Sequence, residues 1–168
     1  MTAQAAEILH YKGREWALCA EPLDLYLENN NIRFDSEAIA NSETITISTA
    51  CWRGYIGEWL IENRRLYLIG INNVNDEPIP LSRIFPDNPK RVFAHWVTGE
   101  LRCPEGKLLT YIHGGYGSAY ERDLFLEFCN GELVAERLVY NGEVPDPDVR
   151  TGQAPGAWTT TSRGRLIP

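Results

Sequence analysis

The chain has 168 residues, 43% of them hydrophobic and 11% aromatic, with 16 basic residues against 23 acidic ones and a formal charge of −7. That length supports one domain with a core that needs neither disulfide nor metal, and the composition excludes a mostly disordered chain. Because no basic run exceeds two residues (Arg64-Arg65 and Lys90-Arg91), the charge argues against nucleic acid and anionic membranes as partners, no membrane span is expected, and a basic protein partner is compatible.

The opening residues Met1 to Ile8 carry neither a basic region nor an apolar one, so no secretory signal is read and a cytoplasmic location is expected. Ile8 to Tyr11 and Glu15 to Cys19, separated by Lys12-Gly13-Arg14, predict a first hairpin. Pro22 opens a segment through Glu28 that predicts one or two helical turns, stopped by Asn29-Asn30-Asn31. Ile32-Arg33-Phe34 is a candidate short strand, and the polar–apolar alternation of Glu43 to Ser48 predicts a half-buried one.

The clearest pattern runs from Thr49 to Ile71. Two aromatic and β-branched segments, Thr49 to Ile61 and Arg65 to Ile71, flank the polar turn Glu62-Asn63-Arg64, which predicts a second hairpin. Glycines inside such strands signal a bulge or a close backbone approach. Tyr55, Trp59 and Ile61 are expected on one face, with Trp52, Ile56 and Leu60 on the other. Asn72 to Pro80 reads as a loop, and Leu81 to Pro86 as a single helical turn packing Leu81, Ile84 and Phe85 on the core.

Val92 to Val97 and Gly99 to Cys103 predict one long or bent strand. Pro104-Glu105-Gly106 is expected to turn the chain into Lys107 to Ile112. A flexible glycine-rich loop follows from His113 to Tyr120. Asp123 to Cys129 and Leu133 to Tyr140, joined by Asn130-Gly131, carry the strongest hairpin signal in the chain. Residues 143–168, rich in Pro, Gly and Thr with Trp158 as the one large anchor, read as an irregular or partly disordered tail. The sum is a mainly β domain over residues 1–142. It is expected to be a single antiparallel curled sheet, as a roll, sandwich or barrel, with one or two very short helices.

Cys19, Cys51, Cys103 and Cys129 show no Cys-x-x-Cys spacing and read as buried free thiols, so no metal site and no cofactor is expected. The candidate chemical site joins His95 in Phe93-Ala94-His95-Trp96 to His113 in the glycine-rich loop, since histidine serves as a general base near neutral pH. The alternation of His95 with Phe93 and Val97 favours a hydrogen-bonded core histidine instead. The Gly114-Gly115-Tyr116-Gly117 loop fits neither the P-loop nor the dinucleotide fingerprint.

The aromatic set that includes Trp52, Tyr55, Trp59, Trp96 and Tyr116 reads first as core. Its other readings are a protein interface, with Arg53 and Arg122 as anchors, or a ligand-stacking surface. Arg53, in an apolar context, requires a partner, for which Glu58 or Glu100 is expected, or else an anionic ligand.

Cys51 to Trp59, Leu66-Tyr67-Leu68 and His113 to Ser118 carry a resemblance across residues 8–140. In these segments the chain resembles a family of small, uncharacterised bacterial cytosolic proteins with no established activity. The resemblance implies a bacterial cytosolic protein and assigns no site residue. The expectation that follows is a non-catalytic binding protein, immunity-like in form, engaging a protein partner through Arg53, Tyr55, Trp96, Tyr116 or Arg122. The alternative is a small-molecule-binding roll or barrel, of which an enzyme using His95 and His113 is one form. A scaffold domain without ligand is the default.

Overall fold

The computed structural model describes residues 3–33 and 48–142, together with the backbone of Thr159–Thr160 and Leu166–Ile167. Residues 43–47 of the strand predicted over Glu43 to Ser48, and most of the tail, lie outside these residues. The strands are β1 (Glu7–Tyr11), β2 (Arg14–Leu18), β3 (Tyr55–Glu62), β4 (Arg65–Asn73), β5 (Val92–Phe93), β6 (Gly99–Thr110), β7 (Ala119–Cys129) and β8 (Glu132–Tyr140). Among the described residues, one helix, α1, spans Pro22–Asn29, and a single 3-10 turn spans Leu81–Arg83. Thr159–Thr160 and Leu166–Ile167 form a separate antiparallel pair, β9 and β10. No helix among the described residues is long and apolar enough to cross a membrane.

Three hairpins share one device. The turn pairs Lys12-Gly13, Asn63-Arg64 and Asn130-Gly131 all have positive φ at both positions. That is the type I′ geometry, whose twist matches the twist of paired strands. Asn and Gly tolerate it readily, while Lys12 and Arg64 are held in it by their hairpins.

Seven strands follow the order β2-β1-β3-β4-β8-β7-β6, and β5 adds to β4, making one sheet of eight. The sheet is mixed rather than purely antiparallel, because β1 pairs with β3 in parallel, Ile8 opposite Glu58 and His10 opposite Leu60. The reason is topological. The chain leaves β2, forms α1 and re-enters, from the end where β2 stopped, on the far side of β1, so β3 runs opposite to β2 and hence parallel to β1.

The sheet's two halves meet turn to turn. Leu66 N donates to Gly131 O and Leu133 N to Arg64 O, at 2.9 and 2.7 Å. The edge strands β2 and β6 also approach, with Cys19 N donating to Arg102 O at 2.8 Å.

Alternation carries the core. On β3 the buried positions are Tyr55, Gly57, Trp59 and Ile61, as the face assignment expected. They meet Leu9, Leu18, Leu66, Leu68, Ile71, Leu126 and Phe128, all at most 1% exposed. Burying a side chain such as Phe128 or Leu126 stabilises by about 1.5–3 kcal/mol. Leu23 and Leu27 of α1 join this core, as do Leu81, Ile84 and Phe85.

Three expectations change. The predicted strand from Val92 to Cys103 is two strands, because the chain turns at His95-Trp96, where Val97 N donates to Ala94 O. β5 pairs with β4 while β6 pairs with β7. Pro104-Glu105-Gly106 is no turn but lies within β6, which absorbs these residues through a register shift between Glu105 and Leu108. Gly106, at φ 84°, supplies the irregular backbone. Pro104 is tolerated because β6 is an edge strand and Arg102, two residues earlier, faces that edge. Finally, Ile32 and Arg33 form no strand.

Candidate functional site

The densest polar cluster forms around Arg53. The residue lies in the turn of Cys51 to Gly54 before β3, not within the strand. Its side chain is 3% exposed. Nε donates to Glu7 Oε1 at 3.2 Å, Nη1 to Glu21 Oε1 at 3.2 Å and to the Tyr116 hydroxyl at 3.1 Å, and Nη2 to Ala5 O at 2.9 Å. The Tyr116 hydroxyl in turn donates toward Glu21 Oε1, 3.0 Å away. The expected partners Glu58 and Glu100 are engaged elsewhere, with His10 and Arg137.

Glu7 sits at an inward position of β1, in phase with Leu9. Trp59 Nε1 donates to its Oε2 at 2.5 Å, and the Gly57 backbone N–H donates to it as well. Burial pushes the Glu7 carboxyl up to about 7, against the opposing pull of Arg53, Trp59 and Gly57. Burial lowers the Arg53 guanidinium, but Glu7, Tyr116, Cys51 and Glu21 outweigh it and hold the group above its ordinary value. Burial also raises the hydroxyl of Tyr55, which donates to Asp24 Oδ1 at 2.5 Å, and that of Tyr116.

This network holds two loops side by side. Segment 3–5 runs between them: Gln4 N donates to Gly115 O at 2.9 Å, and Ala5 N to Ala50 O at 2.6 Å. A second arginine braces the glycine-rich loop, as Arg102 donates to Tyr116 O, Ser118 O and buried Asp123. Several large apolar side chains on and beside these loops are exposed. Trp52, on the first loop, is 61% exposed, and Tyr111 and Ile112, flanking the second, are about half exposed, as are Leu108 and Leu109 of β6.

The sequence candidates therefore divide. Arg53, Tyr55 and Tyr116 come together and hold the loops; the Arg53 side chain and Tyr55 are buried there, while Tyr116 is half-buried. Trp96 is half-buried and docks α1, with Nε1 donating to Pro22 O at 2.8 Å and its ring 4.7 Å from Tyr26. Arg122 stands apart beside Glu105, Nε to Oε2 at 3.4 Å.

The two candidate histidines are not joined. His95 is exposed in its turn, not in the core, because the β5–β6 turn breaks the alternation that pointed it inward. His113 is exposed too, its ring edge-on to Tyr111 at 4.6 Å. Neither has a carboxylate within hydrogen-bond reach among the described residues.

The histidine that does have one is His10, which sequence reasoning passed over. Its Nε2 lies 2.7 Å from Glu58 Oε1, beside a surface pocket of about 380 Å3 floored by Leu60 and Ile61. No group of three or more metal-ligating side chains occurs among the described residues. Cys51 and Cys103 are buried free thiols, whereas Cys129 is exposed at the β7–β8 turn.

No family model matches the chain, and no curated protein or solved structure matches it either.

Proposed function

We propose that this is a non-catalytic cytosolic binding protein that docks another protein against the end carrying Trp52, Leu108, Leu109, Tyr111 and Ile112. The observation that carries the reading is the exposure of these five large apolar side chains, on and beside the two loops fixed from within by Arg53 and Arg102 and on the last residues of β6 that lead into the second loop. Single exposed apolar residues are ordinary, whereas several together on a braced surface mark a contact. Aromatic anchors on preorganised loops lose little freedom on docking. The charge of −7 suits a partner with a basic rim. An immunity-like role, in which docking blocks the partner, is one form of this reading.

A photo-crosslinking amino acid placed at residue 52, at residue 111, or at residue 132 on the distant β8 turn tests it. The reading expects one discrete protein adduct in native lysate from the first two positions and none from the third. Equal labelling at all three, or none at any, defeats it.

One observation favours small-molecule binding as a second reading: the pocket beside the His10–Glu58 pair, lined by the β1–β2 hairpin and by Leu60 and Ile61 of β3. It moves the candidate histidine from His95 and His113 to His10. A ligand perturbing the His10 ring resonances, and losing that effect in Glu58→Gln, would support it. Ring resonances indifferent to a metabolite library would remove it.

A further inference from the structure

We propose that Glu7 is a proton-operated latch for the docking end: when its carboxylate takes up a proton, Arg53 releases segment 3–5 and the glycine-rich loop. What the latch regulates rests on the docking reading above; the latch itself rests on the geometry of the buried cluster.

The argument begins with hydrogen-bond direction. Every group aimed at the two Glu7 oxygens is a donor: Arg53 Nε at Oε1, Trp59 Nε1 at Oε2, and the Gly57 N–H. A carboxylate accepts from all three. A protonated carboxyl carries its hydrogen on one oxygen, which keeps less acceptor capacity and has donors where that hydrogen needs an acceptor. A proton on Oε2 weakens the contact with Trp59 and a proton on Oε1 that with Arg53, and in either case the charge that holds the guanidinium is lost. Trp59 is fully buried in the core and cannot retreat. Arg53 sits on a turn, with a second carboxylate, Glu21, still in reach and partly open to water. Arg53 is therefore the group that yields.

The consequence travels along contacts already described. Arg53 donates to Ala5 O and to the Tyr116 hydroxyl. When it swings toward Glu21, the clamp over segment 3–5 loosens and Tyr116 loses a donor. Among the described residues, the ties that remain between segment and loop are then Gln4 N–H to Gly115 O and the Tyr116 hydroxyl to Ala5 O, 3.2 Å away.

The charged and titratable groups facing this centre are Arg53 and Cys51 from the turn before β3, Glu21 ahead of α1, Tyr55 of β3 with its partner Asp24, and Tyr116 of the loop. Burial and the three donors act on Glu7 in opposite directions, and their balance falls at about 7. Tyr55 and Tyr116 stay protonated there, since burial raises both. Glu7 accordingly changes its charge near neutrality.

The full chain labelled with 15N tests this by NMR from pH 5.5 to 8.5. The Trp59 indole N–H reports the proton on Glu7, and the amides of Gly114, Gly115 and Gly117 report the loop. The latch predicts that indole and loop amides titrate together near pH 7, and that both become flat in Glu7→Gln. An indole that does not titrate, or loop amides that keep their pH response in Glu7→Gln, overturns it.

Should Glu7→Gln fail to fold, Arg53→Lys replaces it. The indole then still titrates while the loop amides stop following it, and loop amides that still follow overturn the proposal. None of these readouts uses a partner. Failed crosslinking with the titration intact defeats docking and leaves the latch standing, and a flat titration with crosslinking intact does the reverse.

Discussion

Glu7 occupies the space that a side chain at residue 57 would need: a Cβ added to Gly57 would lie 2.6 Å from Glu7 Oε2 and 2.7 Å from Trp59 Nε1. Both atoms are buried and hydrogen-bonded to each other, so neither can step aside without opening the network. Gly57→Ala should therefore destabilise by about 1–3 kcal/mol, the usual range for overpacking a filled core. Urea unfolding checks this. A midpoint equal to that of the parent would mean that the Glu7–Trp59 contact is not held as described.

Arg53→Met removes the cation and leaves Glu7 buried without it. Breaking one partner of a buried pair costs about 3–5 kcal/mol. The loss should be greatest at pH 8. It should shrink at pH 5, because Glu7 without its guanidinium takes up a proton more readily and ceases to be a stranded charge. Chemical denaturation at the two pH values measures the contrast, and an equal loss at both contradicts it.

The pH dependence of Glu7 has a definite sign. Its carboxyl titrates at about 7 in the folded protein against an ordinary value of 4.5. The folded state thus binds this proton more tightly than the unfolded state does. The stabilising contribution is full below pH 4.5, declines as pH rises toward 7, and is absent above. Its size is on the order of 3 kcal/mol. Parent stability minus that of Glu7→Gln, followed by denaturant titration, should fall by that amount between pH 4.5 and 8. A flat or rising difference would falsify the assignment.

Thiol labelling of the native protein should separate the cysteines. Cys129 is exposed, while Cys51 and Cys103 are buried. Burial pushes the Cys103 thiol up to about 12 and the half-buried Cys19 thiol up to about 11, the latter against the pull of Arg102. A disulfide reagent at pH 8 should modify Cys129 in a first fast phase and reach Cys103 only on unfolding. Mass spectrometry of the quenched digest identifies the order.

The hairpins were legible because their signals are local. Asn130-Gly131 and the alternation of β3 each lie within one short window, and both stand where the pattern put them. The parallel pairing of β1 with β3 was not legible, because nothing in Ile8 to His10 names a partner so far along the chain. The Arg53 network was half legible. A charge at that position demanded partners, but the partners come from β1, the start of α1 and the glycine-rich loop.

One signal could have found Glu7. It shares the inward phase of β1 with Leu9, and a carboxylate at an inward position must be answered by a donor. His95 failed for the opposite reason. Its alternation was real in the sequence, but the backbone turns there, and a period-two argument holds only while the strand continues.

The contacts of Arg53 also bear on how the molecule comes together in time. Its bonds to Glu7 and Tyr116 join residues 46 and 63 positions apart, whereas each hairpin closes over two turn residues. Hairpins form within microseconds, and stitches of long sequence separation wait for the elements to assemble. The arginine cluster is thus expected to be absent from the rate-limiting barrier. Removing it should leave the folding rate nearly unchanged and appear as faster unfolding. The buried charge then acts as a brake on opening, setting how long each folded molecule lasts rather than how quickly it is made.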